Sequence, residues 1–250
     1  MFNLNEGGLL TYIFRNGVAE SWHYYVAYIG FALLTIIVAY LFGSINSAII
    51  LSRLIYHDDI RNHGSKNAGM TNMLRTYGLG AAGMTLAGDL IKSALAIVFA
   101  GFLFGFGYVG GVSISEFCYV AGLFAVMGHI FPIYYQFKGG KGVLATATIA
   151  LVLSPIPFLV LLAIFIGIVW ASKYVSLGSV CAALLYPVLL NGYFILTFGQ
   201  GATPGLISLS SILIAVTIVI KHWGNLQRIS NRTERKISFK KKKENDGEEK

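Results

Sequence analysis

The chain has 250 residues, 56% hydrophobic and 12% charged, with a mean hydropathy of +0.68. Soluble domains carry about 25% charged residues. A soluble globule, a disordered chain and a coiled coil are therefore excluded, and a multi-spanning membrane protein remains. The net charge of +8 is concentrated at one end, with ten of the 19 basic residues between Lys221 and Lys250. That placement fits a cytoplasmic tail beside anionic lipid, so no nucleic-acid partner is expected.

Residues 1–24 are mixed and polar, with no basic stretch leading into an apolar run, and read as an extracytoplasmic segment rather than a signal peptide. The apolar stretches that follow read as seven helices, at 25–54, 79–107, 116–136, 142–153, 155–171, 176–197 and 206–221. Crossing the bilayer core takes about 20 apolar residues, so the fourth and fifth are short. Ser154-Pro155 and Ile156-Pro157 mark a tight hairpin between them. The first is long and interrupted by Gly43, Ser44, Asn46 and Ser47, so it tilts or lines something polar. Cys118 and Cys181 lie in apolar runs and read as small core residues, with no disulfide or metal pattern.

Positive charge sets the expected orientation. Arg61, Lys66 and Arg75 lie between the first two spans, Lys138 and Lys141 between the third and fourth, and Lys173 between the fifth and sixth. The remaining connections carry no Lys or Arg, and the N-terminal segment carries only Arg15. The positive-inside bias puts the N-terminus outside and the C-terminus in the cytoplasm. The expected fold is thus an all-α integral membrane protein of seven transmembrane helices, spanning 25–221, with a basic cytoplasmic tail over 222–250. No inverted repeat of interrupted helices is evident.

Polar residues cluster in three segments, all on the expected cytoplasmic side. The first runs from Asp59 to Arg75, where Gly64, Ser65, Asn67, Gly69, Thr71 and Asn72 offer turns and donors. Successive backbone N–H groups in such a loop form an anion-binding nest, and Arg75 adds a fork for phosphate. It is not a Walker A loop, whose spacing is absent. The second holds Gly128, His129 and Pro132, then Lys138, Gly139, Gly140, Lys141 and Gly142, where a helix begins and adds partial positive charge. The third holds His222, Asn225 and Arg228 at spacings of three, roughly one helical face. Taken singly, each also reads as plain structure: a capped loop, an interfacial anchor, a polar stop to the last span. Asp89 and Lys92 form an intramembrane pair, either functional or scaffold for the first loop.

Together the three segments resemble the bacterial membrane glycerol-3-phosphate acyltransferase family that uses acyl phosphate, the PlsY type. The matching stretches are Gly43-Ser44-Ile45, Asp59 to Arg75, Asp89 with Lys92, Gly128 to Pro132, Phe137 to Thr146, and Lys221 to Glu234. Departures are Asn46 for Pro, Lys66 for Gly, Met70 for Ala, Ser93 for Gly, Lys221 for Arg, and Arg232 where Gly is usual. The stretch Val143-Leu144-Ala145-Thr146 carries one extra residue. Lys66 removes a glycine from the phosphate loop and brings another positive charge.

The resemblance implies transfer of an acyl group from a fatty acyl phosphate to the 1-hydroxyl of glycerol 3-phosphate, the first step of phospholipid synthesis. Ser65, Asn67, Gly69, Thr71 and Asn72 would hold a phosphate, while Arg75 and Lys141 would bind phosphate and stabilise developing charge. His222 and Asn225 would position glycerol 3-phosphate. Ser44, Gly64, His129, Gly139, Gly140, Gly142 and Arg228 complete the expected substrate-binding set. The base is His222 or a phosphate oxygen of the substrate. No cofactor, no metal, a monomer in the cell inner membrane and an active site facing the cytoplasm are expected. There is no G-x-S-x-G elbow, and no His is followed five positions on by Asp. The rival readings are a transporter of a phosphorylated solute, a degenerate paralogue without activity, and a membrane scaffold with a basic tail. A transporter needs polar residues through the midplane, and the fourth to sixth spans offer little beyond Thr146, Thr148 and Ser154.

Overall fold

The computed structural model describes residues 8–14, 22–105, 116–199, 203 and 205–237. Described residues form α1 (Gly8–Ile13), α2 (Trp22–Ser44), α3 (Ser47–Ile55), α4 (Met70–Tyr77) and α5 (Leu79–Phe104). They continue with α6 (Glu116–Ile130), α7 (Val143–Leu153), α8 (Pro155–Ser172), α9 (Val175–Phe198) and α10 (Gly205–Ser230).

Six segments are long and apolar enough to cross a bilayer: Trp22–Ile55, Leu79–Phe104, Glu116–Tyr135, Pro155–Ser172, Val175–Phe198 and Gly205–Ser230. The expected fourth span exists as α7 but has 11 residues. At about 1.5 Å per residue it reaches roughly 16 Å, half of a hydrocarbon core about 30 Å thick. The count of full-length spans is therefore six among the described residues, with α7 a half-length helix. The hairpin at Ser154-Pro155 is present, with Ser154 between α7 and α8 and Pro155 opening α8, where its missing N–H costs nothing.

The first span breaks where its polar residues predict. Asn46 takes an extended backbone and its side chain accepts from Ile49 N at 3.0 Å, capping α3. The break frees the Ile45 carbonyl, which accepts from Lys92 Nζ at 2.7 Å. α2 lies against α6 at close range. A Cβ on Gly43 would sit 2.1 Å from the Ala125 carbonyl oxygen, and one on Gly128 would sit 2.2 Å from that of Tyr40. Small residues facing each other let two membrane helices approach backbone to backbone.

The first and last described segments join the helical body. Leu10 of α1 is buried, and α1 packs on α5. α10 continues unbroken to Ser230, so His222, Asn225 and Arg228 stand on its last turns rather than on a tail. Beyond it, Ile237 N donates to the Lys173 carbonyl at 2.9 Å and Lys236 lies over the Tyr174 ring. The Lys240–Lys243 run lies outside the described residues.

Gly43→Val is expected to cost at least about 1–3 kcal/mol by forcing α2 off α6. It would appear as a lower thermal unfolding midpoint in detergent. Gly30→Val is the control, because nothing lies within 4 Å of its Cβ position.

Candidate active site

The loop before α4 is shaped by its own polar residues. The Arg61 guanidinium grips both Asp59 oxygens, at 2.9 and 2.7 Å, and Arg53 adds a third contact at 2.9 Å. Hydrogen bonding from Arg61 holds the Asp59 carboxyl well below the usual carboxylate range. The buried Asn72 amide accepts from Ser65 N at 3.0 Å and donates to the carbonyls of Ile60 and His63, at 3.2 and 3.0 Å. Asn72 thus braces the loop and has no donor left over for a ligand. Ser65, Asn67, Thr71 and Arg75 line the same cavity, and their side chains donate to no other described residue.

Behind this loop lies a buried ionic centre. Lys92 Nζ meets Ile45 O at 2.7 Å, Asp89 Oδ1 at 2.8 Å and His129 Nδ1 at 2.9 Å. An ammonium offers three donors and no acceptor, so His129 accepts at Nδ1 and carries its ring proton on Nε2. Asp89 also accepts from Ser47 Oγ at 3.1 Å. A Cβ on Gly140 would fall 2.1 Å from His129 Nε2, so glycine lets the 138–142 loop close over the ring.

The opposite wall is a chain of polar contacts centred on Glu234. Asn225 Nδ2 donates to Glu234 Oε1 at 2.6 Å and to Ser176 Oγ at 2.9 Å. Ser176 Oγ donates to Oε1 at 2.6 Å, and Arg228 Nε donates to Oε2 at 2.8 Å. Burial pushes the Glu234 carboxyl up, but these bonds outweigh it and hold it below its usual range. The turned-back Asn225 amide presents its oxygen to Lys141 Nζ. Burial pulls the Lys141 ammonium down to about 8; Glu234 opposes this, and Arg228, Arg75 and Lys221 add to it. His222 Nδ1 lies 2.8 Å from the Ile218 carbonyl. A carbonyl only accepts, so Nδ1 bears a proton.

These walls enclose one cavity of about 760 Å³. Its polar end holds Lys66, Arg75, Lys141, Arg228 and Arg235 against the Glu234 carboxylate. Gly142, with φ +82, starts α7 there, so the unpaired N–H groups of that helix face the cations' side. The other end is apolar, walled by side chains of α7, α8 and α9. Such a space suits a molecule with an anionic head and an apolar chain.

The family model for glycerol-3-phosphate acyltransferase matches residues 33–232. The chain belongs to that family. Among family members, the glycerol-3-phosphate acyltransferase of Syntrophotalea carbinolica is 38% identical over 81% of this chain and 95% of its own length. That of Bacillus subtilis strain 168 is 34% identical over 82% and 97%. A crystal structure of PlsY, an integral membrane glycerol 3-phosphate acyltransferase in its glycerol 3-phosphate form, superposes with a TM-score of 0.72 at 29% identity. It covers 83% of this chain and 96% of that one. The lysophosphatidic acid form gives 0.70 at 28% identity. The acyltransferase fold is therefore of the PlsY type.

Of the expected site residues, Gly64, Ser65, Asn67, Gly69, Thr71, Asn72, Arg75, His129, Lys141, Gly142, His222, Asn225 and Arg228 line the cavity. Ser44, Gly139 and Gly140 do not. Ser44 Oγ donates to the Tyr40 carbonyl of its own helix at 2.8 Å. Gly139 and Gly140 pack on the end of α6, where Gly140 N donates to His129 O at 3.1 Å. Ser176 and Arg235 also line the cavity and were not singled out from sequence; Glu234, which closes the third matching stretch, lines it as well. A lone serine near the start of an apolar helix gives no signal. Glu234 gave one, as an acid within a basic stretch.

Two departures from the acyltransferase pattern fall on one kind of backbone. Lys66 has φ +58 and Arg232 has φ +56, both in the left-handed region that favours glycine. The loops keep a glycine's shape without the glycine. Lys66→Gly is expected to raise stability by up to about 1 kcal/mol, read as a higher unfolding midpoint with the cavity intact. A second outcome concerns charge. Lys141 is cationic below its pKa and neutral above it. Affinity for inorganic phosphate should fall as pH rises through about 8, measured by calorimetry. Lys141→Arg should move that fall to higher pH, since guanidinium keeps its proton.

Proposed function

We propose that this acyltransferase moves an acyl group from a fatty acyl phosphate to the 1-hydroxyl of glycerol 3-phosphate. The alcohol oxygen attacks the acyl carbonyl, the C–O bond to phosphate breaks, inorganic phosphate leaves, and 1-acyl-glycerol 3-phosphate remains in the bilayer. The observation that carries this reading is the cavity itself: cations at one end and an apolar shaft at the other. Both substrates are anionic, which accounts for basic groups on two walls, Arg75 on one and Lys141 with Arg228 on the other. Acyl phosphate is an activated mixed anhydride, so neither a covalent intermediate nor a metal is required of the protein.

Lys141 and Arg75 stabilise charge that develops on the carbonyl and departing phosphate. Asn225, held by Ser176 and Glu234, fixes the Lys141 ammonium in place. His222 Nε2 takes the hydroxyl proton, or a phosphate oxygen of the substrate does so. The same reading places the basic loops, and hence the active site and the C-terminus, on the cytoplasmic side of the bacterial inner membrane, with the N-terminus outside. It takes the chain as a monomer that needs no cofactor.

The test is phosphate release by purified protein in lipid, supplied with palmitoyl phosphate and glycerol 3-phosphate. Release should require both substrates and yield lysophosphatidic acid, and Lys141→Ala should lower turnover by about 100-fold or more. Product formed only from acyl-CoA or acyl carrier protein would overturn the donor. Near-normal turnover in His222→Ala would exclude His222 as the base.

A further inference from the structure

The apolar end of the cavity has a definite floor. On α9 the lining residues Ser176, Ser179, Ala183 and Tyr186 follow helical spacing down one face. The lining stops at Tyr186, and Leu190, the next residue on that face, is sealed in the core. It stops at Ile218 on α10, and at Leu151 and Phe158 where α7 and α8 meet. Tyr186 is 1% exposed, and among the described residues its hydroxyl makes no hydrogen bond of good geometry. Ser176, at the other end of the row, bonds to Glu234 and Asn225 of the polar site.

We infer that the Tyr186 ring is the floor of the acyl pocket and sets the length of straight chain that the enzyme accepts. This rests on the acyltransferase reading above. From Ser176 to Tyr186 is ten residues of helix, a depth of about 15 Å. An extended chain advances about 1.2 Å per bond, so the shaft holds about 12 carbons. A longer chain must turn at the ring. Beside the ring the cavity is lined by Leu151 and Leu162, which are 44% and 38% exposed. Since the chain comes from lipid rather than water, moving it into the shaft gains little from hydrophobicity. Fit therefore decides the preference, and the ring decides fit.

The test is internal competition. Vesicles carry an equimolar series of saturated acyl phosphates lengthened two carbons at a time, and the lysophosphatidic acids formed are counted by mass spectrometry. Tyr186→Ala should move the preferred length up by about four carbons, with a change of about tenfold in the long-to-short product ratio. Ala183→Leu, which fills the shaft from the same helix face, should move it down. Tyr186→Phe keeps the ring and removes only the hydroxyl, so the distribution should stay unchanged. An unmoved distribution in both Tyr186→Ala and Ala183→Leu would overturn the proposal, and so would a shift in Tyr186→Phe as large as that in Tyr186→Ala. Affinities for n-alkyl phosphates of the same lengths, measured on the same proteins, separate the two readings. Length steps that move with the variants while no protein makes lysophosphatidic acid would uphold the floor and sink the acyl transfer. Steps that do not move would sink the floor.

Discussion

The structure turns on one buried ammonium. Lys92 is 3% exposed, and its three donors go to a carbonyl freed by a helix break, a carboxylate one turn away on its own helix, and an imidazole on α6. Removing one partner from a buried ion pair costs about 3–5 kcal/mol, because the survivor stays unpaired in a medium that solvates it poorly. The break at Ile45, the pair on α5 and the orientation of His129 are therefore mutually dependent. The break starts α3, α3 supplies Ser52 Oγ to the Ile60 N–H at 3.2 Å, and Ile60 begins the turn that carries the first polar loop. The second polar loop closes over His129 through Gly140. A scaffold centre in the apolar interior thus positions both anion-facing segments without itself forming the cavity's charged end.

Depth follows from unequal helix lengths. On α8 the cavity lining reaches Phe165, level with the start of α7, and the residues from Ile166 to Ser172 rise about 10 Å further. A full-length α7 would bring Lys141 to the surface. Its 11 residues instead leave Lys141 recessed, and burial pulls its ammonium down. Recession weakens the solvent screening of Lys141, so its charge acts more strongly there.

The polar network on α9, α10 and the segment after it sets the balance of charge. Glu234 is a carboxylate set among the cations that line the cavity. Ser176, Asn225 and Arg228 take up its oxygens, and the Asn225 oxygen faces Lys141. The carboxylate faces Lys141 indirectly, through an amide that it orients and whose oxygen meets the ammonium. The left-handed residues Lys66 and Arg232 flank this machinery on separate loops. Their strain is tolerated because neighbouring bonds fix each turn: Lys66 N to His63 O at 2.8 Å, and Arg232 N to Ile229 O at 3.0 Å.

Composition and hydropathy by themselves determined the membrane class, the apolar helices and the hairpin at Ser154-Pro155, because the bilayer demands long apolar runs and proline punctuates them. The polar vocabulary around Asp59–Arg75, Gly128–Gly142 and His222–Arg228 was legible for the same reason: such residues stand out in apolar sequence. Residue type alone could not say which of them face a ligand. Asn72 and Asn67 look alike in sequence, yet one amide is used up by the loop and the other lines the cavity unbonded. Sequence showed that the fourth apolar stretch is short but still counted it as a span, and the structure gives it as an 11-residue helix. Ser176 and Tyr186, ten residues apart on an apolar helix, took meaning only from what α7, α8 and α10 bring against them. Those decisions rest on contacts between segments far apart in the chain, and only the tertiary structure makes them.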